Sequence, residues 1–317
     1  MPRLSRTIAM LAAPALLALV LAACSPLATL NALTPAGDVQ RTAGLAYGDG
    51  PRQQLDVYRP GKLAMRGTPG TPGALQAPGA APVVVFFYGG NWVSGQRDDY
   101  AFIGRALAAR GIVTVVADYR LYPQVRYPDF LTDAAQAVAW ARRHAAQYGG
   151  DPQRLFVMGH SAGAYNAAMV ALDPRWLAAQ GMTPAVLRGW IGLAGPYDFL
   201  PIENTTTRPV FHFPDTPPDS QPIRHVSPQS PPALLIAARS DDLVDPQRNT
   251  GHLAQALRAQ QVPVQERYYD RVSHTTLIGS IAAPLRWLAP TLDDVAAYVL
   301  AAPTAQAQGG ERSAARR

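Results

Sequence analysis

Leu155-Phe156-Val157-Met158-Gly159-His160-Ser161-Ala162-Gly163 is the stretch on which the reading of this chain turns. A short apolar run leads into G-x-S-x-G, and an alanine-rich segment follows over residues 162–171. That order predicts a strand, a sharp turn and a helix, the setting in which a serine hydroxyl is pushed out at the end of a sheet. A free serine hydroxyl is a poor nucleophile and becomes reactive only beside a base. Gly159 and Gly163 lack a Cβ, which lets strand and helix approach closely. Ser161 is therefore the candidate nucleophile.

The surroundings repeat the same alternation. Short apolar runs at residues 83–87, 112–117, 155–158, 189–193, 233–238 and 264–269 predict strands. Longer helical patterns at 100–109, 131–147, 162–172, 249–260 and 292–300 lie between and after them. Residues 42–47 and 54–58 predict an antiparallel hairpin at a sheet edge. The fold class is α/β: a mostly parallel sheet with helices on both faces. Ligands of such sheets sit beyond the carboxyl ends of the strands, where Ser161 falls. Residues 61–81 are rich in proline and glycine and predict an irregular surface loop. Residues 196–232 form a proline-rich excursion with Phe211 and Phe213, expected to be a partial lid or a passive surface detour.

A nucleophilic serine needs a base, and the base an orienting acid. Four histidines follow Ser161: His212, His225, His252 and His274. His252 lies on an amphipathic helix pattern, and His212 and His225 lie in the excursion. His274 follows the strand at 264–269, in a loop opening at the same sheet edge as Ser161, and is the candidate base. The strand at 233–238 runs into Asp241, Asp242 and Asp245. Neighbours in an extended segment point opposite ways, so only one faces the imidazole; position leaves Asp241 and Asp242 both open. The oxyanion donors are expected from the Ala162 amide and from the loop Tyr88-Gly89-Gly90-Asn91-Trp92. Trp92 and Tyr165 are candidates to line a substrate pocket.

Together these residues resemble the α/β-hydrolase fold, in the esterase branch that holds hormone-sensitive-lipase-like carboxylesterases, feruloyl and acetylxylan esterases and kynurenine formamidase-like enzymes. The resemblance covers about residues 43–300. The family's H-G-G-x-W loop matches Tyr88 to Trp92 with tyrosine in place of histidine, and its D-Y-R-L-x-P stretch stands at Asp118-Tyr119-Arg120-Leu121-Tyr122-Pro123. Its D-x-L-V acid loop matches Asp241-Asp242-Leu243-Val244, which implies Asp241 as the triad acid. It also implies Ser161 and His274 as nucleophile and base, and the amides of Gly90, Asn91 and Ala162 as the oxyanion hole. The implied activity is hydrolysis of carboxylic esters of small molecules through an acyl-enzyme. An amidase or formamidase with the same triad, or a non-catalytic envelope binding protein, are the alternatives. Only a short tether is expected before the first strand, so the helical N-terminal cap of hormone-sensitive-lipase relatives is expected to be missing, which implies a more open pocket for small or extended acyl groups.

The chain has 317 residues, with 28 Lys and Arg against 22 Asp and Glu. The arginines are scattered apart from a short cluster at Arg312, Arg316 and Arg317, which argues against nucleic-acid binding. No histidine–carboxylate cluster at metal spacing and no glycine-rich phosphate loop appears, so neither metal nor cofactor is implied. Arg3 and Arg6 precede an apolar run over residues 8–23 that ends Leu21-Ala22-Ala23-Cys24. This pattern predicts a signal peptide at 1–23, with an uncleaved anchor helix as the alternative. The ending resembles a bacterial lipobox, which implies lipidation of Cys24 and a cell-envelope location, on the outer membrane given Ser25. Residues 24–41 read as a tether without strong pattern, 42–303 as the hydrolase domain and 304–317 as a disordered tail.

Overall fold

The computed structural model describes residues 26–61 and 80–301. The signal peptide, Cys24, the loop at 62–79 and the tail at 304–317 lie outside the described residues. In chain order the first elements are helix α1 (Pro26–Leu33), strands β1 (Gln40–Ala46), β2 (Gln54–Arg59) and β3 (Ala81–Phe87), helix α2 (Ala101–Ala108) and strand β4 (Val113–Ala117). Helix α3 (Asp129–His144), strand β5 (Gly150–His160), helices α4 (Ala162–Leu172) and α5 (Pro174–Ala178) and strand β6 (Leu187–Leu193) follow. The last part holds β7 (Ala233–Ala238), α6 (His252–Ala259), β8 (Val264–Tyr269), α7 (His274–Gly279) and α8 (Thr291–Ala301).

The strands form one sheet in the order β1-β2-β4-β3-β5-β6-β7-β8. β1, β2 and β4 pair antiparallel, and every pairing from β4 to β8 is parallel. β3 and β7 are buried along their whole length, as unbroken apolar runs covered on both faces must be. The edges differ: β1 is almost wholly exposed, and β8 alternates along Gln265, Glu266 and Arg267, polar side chains that discourage pairing with another chain. At the centre, α4 is buried at every residue. A helix without a polar face fits only where it is enclosed, and its alanines allow close packing on the sheet. This is the mostly parallel α/β sheet that the alternation of runs predicts, and it agrees with the α/β-hydrolase fold that the sequence resembles.

Two parts depart from expectation. The stretch read as a patternless tether contains α1, which is held against the domain. Asn31 Oδ1 accepts from the Phe102 amide at 2.8 Å, and its Nδ2 donates to the carbonyls of Asp98 at 2.8 Å and Asp99 at 3.1 Å. Arg105 Nη1 donates to the Asn31 carbonyl at 2.7 Å, and Leu27 and Leu30 pack on the core. Asn31 thus satisfies groups at the start of α2 that a helix leaves open. These ties are tertiary, so a local pattern does not announce them. The excursion at 196–232 is also pinned. Tyr165 Oη donates to the Ser220 carbonyl at 2.7 Å, the Tyr127 amide to the Val210 carbonyl at 2.9 Å, and the amides of Tyr197 and Asp198 to Asn249 Oδ1 at 2.7 and 3.0 Å. Phe211 is fully buried among aromatic rings. The segment forms a wall beside Ser161.

Candidate active site

β5 ends at His160 and α4 begins at Ala162, so Ser161 is the whole of the turn between them. Its backbone sits at φ 54°, ψ −123°, a conformation that costs a non-glycine residue on the order of 1–3 kcal/mol. The surroundings enforce it. The Ser161 amide donates to the Leu193 carbonyl at 2.9 Å, which ties the turn to β6. A Cβ at Gly163 would lie 2.1 Å from the Phe87 carbonyl oxygen, so only glycine lets α4 start this close to β3.

His274 is the first residue of α7. Ser273 caps that helix: the Ser273 hydroxyl accepts from the Thr276 amide, and the Thr276 hydroxyl accepts from the Ser273 amide at 2.7 Å. This reciprocal cap sets the direction in which the imidazole leaves the backbone. His274 Nε2 lies 2.9 Å from Ser161 Oγ, and its Nδ1 lies 2.8 Å from Asp241 Oδ2. The chemistry assigns the protons: Nδ1–H donates to the carboxylate, and the Ser161 hydroxyl donates to Nε2. Asp241 Oδ1 accepts from the amides of Leu243 and Val244 at 3.0 and 2.9 Å. Burial alone would raise the Asp241 carboxyl, but His274 and those two amides outweigh it and hold it below its ordinary value. Asp242 is exposed, and Asp245 turns away to accept from the amides of Gln247 and Arg248. The structure thus brings Ser161, His274 and Asp241 together and keeps Asp242 apart. His252, His212 and His225 stand elsewhere: His252 faces Asp198 at 3.5 Å, His212 bonds the Tyr127 carbonyl and His225 the Asp219 carbonyl.

Beside Ser161 the loop after β3 takes three consecutive positive φ angles, at Gly90 (131°), Asn91 (53°) and Trp92 (60°). A Cβ on Gly90 would lie 2.2 Å from the Ser94 carbonyl oxygen, so that position requires glycine. Among the described residues, the amides of Gly90, Asn91 and Ala162 donate to no acceptor in the protein. Asn91, Ala162 and Ser161 all border one cavity of about 160 Å³. Free amides at a helix start and in a strained loop suit a developing negative charge.

Trp92 borders this cavity, and its indole donates to Asn166 Oδ1 at 3.0 Å. Tyr165, expected to line the pocket, does not reach it. It is fully buried, packed edge-on against Trp92 at 5.1 Å, and its hydroxyl is spent on Ser220. Its place on an enclosed helix explains the difference: position four residues after Ser161 points it into the packing beneath the pocket, not into the pocket. The remaining walls, including Phe199, Ile202, Asn204 and Arg248, come largely from the excursion and went unmarked in the sequence. No group of three or more His, Cys, Asp or Glu able to hold a metal occurs among the described residues.

His160 was also unmarked. It is buried, its ring lies 5.0 Å from that of His274, and its Nε2–H donates to the His274 carbonyl at 3.0 Å. Its Nδ1 is buried without a partner. Burial, then the neighbouring His274, push His160 down from 6.5 to about 3. A histidine whose folded value is depressed contributes fully above the unfolded value and costs stability as the pH falls toward the folded one. Unfolding free energy is therefore expected to drop as the pH falls from 6.5 toward about 3. The complete effect, reached only below about pH 3, is on the order of 5 kcal/mol. Urea titrations at a series of pH values check this. His160→Gln should flatten the slope, and an unchanged slope would show that another group carries it.

The family whose description is BD-FAE matches residues 73–257 of this chain. Among curated relatives, esterase LipC of Mycobacterium tuberculosis is 34% identical over 236 residues, 67% of this chain and 54% of its own length. Isoprenylcysteine alpha-carbonyl methylesterase of Arabidopsis thaliana is 34% identical over 158 residues, 49% of this chain and 34% of its own length. The chain thus spans between a third and three fifths of the curated relatives it matches. In three dimensions it is similar to an esterase B from Lactobacillus rhamnosis, with a TM-score of 0.70 at 19% identity over 96% of this chain and 99% of that one. The fold agrees with that likeness, and a family match across more than half of the sequence agrees with the elbow built around Ser161: the chain belongs to the BD-FAE family.

Proposed function

We propose that this protein hydrolyses carboxylic esters through an acyl-enzyme formed on Ser161. The observation that carries the reading is the unbroken contact from Asp241 through His274 to Ser161 Oγ, at 2.8 and 2.9 Å. The relatives named esterase and methylesterase support the reaction class. As Oγ attacks the carbonyl carbon, His274 Nε2 takes the hydroxyl proton, and Asp241 stabilises the imidazolium that results. The carbonyl oxygen becomes an oxyanion held by the amides of Gly90, Asn91 and Ala162. His274 then gives its proton to the departing alcohol oxygen. A water molecule, deprotonated by the same nitrogen, attacks the acyl group, and the proton returns to Ser161 as the acid leaves.

The cavity of about 160 Å³ is small beside pockets that enclose drug-sized ligands, usually about 300–1,000 Å³. Trp92, Phe199 and Ile202 give it an apolar part, while Asn204, Asp245 and Arg248 make the rest polar. Short acyl groups fit this space. With p-nitrophenyl esters of rising chain length, kcat/KM is expected to peak at two to four acyl carbons and to fall about tenfold or more by eight. Hydrolysis of N-formyl aromatics ahead of the short esters would replace esterase with amidase. Absence of any turnover, together with no labelling of Ser161 by a fluorophosphonate, would leave a binding protein. On sequence grounds we also propose attachment to the cell envelope through lipidated Cys24. Metabolic labelling with an alkyne fatty acid is expected to mark the chain and to fail on Cys24→Ser.

A further inference from the structure

The strained loop after β3 needs something to hold it, because three consecutive positive φ angles do not persist without surrounding ties. Three of those ties converge on one side chain from a distant part of the chain. Arg52 lies in the turn between β1 and β2. Its Nη2 donates to Tyr88 Oη at 2.7 Å and to the Gly95 carbonyl at 2.6 Å, so one nitrogen joins the beginning and the end of the loop. Its Nε donates to the Tyr119 carbonyl at 3.0 Å, which fixes the guanidinium to the end of β4.

Tyr88 completes the connection. Its hydroxyl donates to Asp118 Oδ1 at 2.8 Å, an oxygen that also accepts from the Arg97 amide at 2.8 Å just past Gly95. Its ring stacks between Tyr119 and Tyr100, with centroids 4.8 and 5.4 Å away. Burial, then Tyr119 and Asp118, push this hydroxyl well above its ordinary value, so it remains a donor. Gly95, at φ 104°, folds the loop back so tightly that a Cβ there would lie 2.8 Å from the Tyr88 ring.

We propose that Arg52 and Tyr88 form a clamp that holds the loop at residues 88–97 in its strained shape and so positions the Gly90 and Asn91 amides for the oxyanion. They are positioning residues, acting through the loop rather than on substrate. The inference rests on the reading of Ser161 as nucleophile and of those amides as its oxyanion donors.

The test compares Tyr88→Phe, Arg52→Ala and Arg52→Lys with the unaltered protein, all normalised to fluorophosphonate-reactive sites. Removing an oxyanion donor outright costs about 10²–10³-fold in kcat, so displacing two of them in part should cost about 5–10-fold in Tyr88→Phe and 10–50-fold in Arg52→Ala. Arg52→Lys should fall between the unaltered protein and Arg52→Ala. KM for p-nitrophenyl acetate should change by less than about threefold. Affinity for an aryl trifluoromethyl ketone, whose adduct with Ser161 carries the oxyanion, should fall in step with kcat. Tyr88→Phe removes one oxygen atom and keeps the stacked ring, so it reports even if Arg52→Ala does not fold. Variants with wild-type kcat per reactive site overturn the clamp, as does a kcat loss with unchanged ketone affinity. An unaltered protein inert to ester, ketone and fluorophosphonate overturns the serine-hydrolase reading itself, and the clamp's catalytic purpose with it.

Discussion

Ser161→Ala is expected to lower kcat on short-chain esters by roughly 10⁵–10⁶-fold while the fold stays intact. In the mechanism proposed above the hydroxyl oxygen forms the covalent bond, and His274 Nε2 has Ser161 Oγ as its partner at 2.9 Å. What remains in the variant is an oxyanion site and a base able to act on water, which sustains only a small part of the rate. The backbone has little reason to change, because the turn is set by the Ser161 amide bond to Leu193 and by the glycines around it, none of which uses the hydroxyl. The thermal midpoint should therefore move by less than about 3 °C. Steady-state kinetics, a melting curve and fluorophosphonate labelling together settle the matter. Hydrolysis within tenfold of the unaltered protein, or a label that persists on the variant, would mean that the reaction does not pass through this serine.

Much of this was legible beforehand because it is locally encoded. The apolar run 155–158, the two elbow glycines and the alanine-rich helix each carry their own structural preference, and all three agree with the fold. Strands such as β7 and β8 appear with the boundaries their runs suggest, since a short apolar or alternating segment bounded by turns has few other uses. What escaped notice depends on contacts between distant residues. Asn31 binding to the start of α2 turns an expected tether into a docked helix, yet the partners are about 70 positions apart. Tyr165 lies on the same helix that presents Ser161, and only the packing of Trp92 and Phe211 shows that its ring points away from the cavity. His160 was within the motif itself but carried no label, because the x of G-x-S-x-G is open by definition. Its meaning comes from the His274 carbonyl 114 residues later.

The acid loop is where position alone stopped short, and it supports the sharpest contrast. Asp241→Asn is expected to lower kcat by about 10⁴-fold, and Asp242→Asn to leave it within about twofold. The carboxylate of Asp241 has two oxygens in use at once: Oδ1 receives the amides of Leu243 and Val244, and Oδ2 receives His274 Nδ1–H at 2.8 Å. An asparagine has only one oxygen to serve both. If that oxygen keeps the two backbone amides, the –NH₂ group faces His274 and donates to Nδ1, so the ring proton moves to Nε2. An imidazole protonated at Nε2 cannot take the Ser161 proton. If the amide flips instead, its –NH₂ meets two N–H groups and the turn loses its acceptor, at a cost of about 1–3 kcal/mol for unpaired buried donors. The first outcome is the less costly, so the loss should appear in kcat with a stable fold. Asp242 is exposed and takes no part in the chain of contacts from the carboxylate to Ser161, so neutralising it changes only surface charge. NMR of the imidazole nitrogens in the Asp241→Asn protein should show the proton on Nε2. Equal losses in the two variants, or a loss confined to Asp242→Asn, would remove Asp241 from the triad.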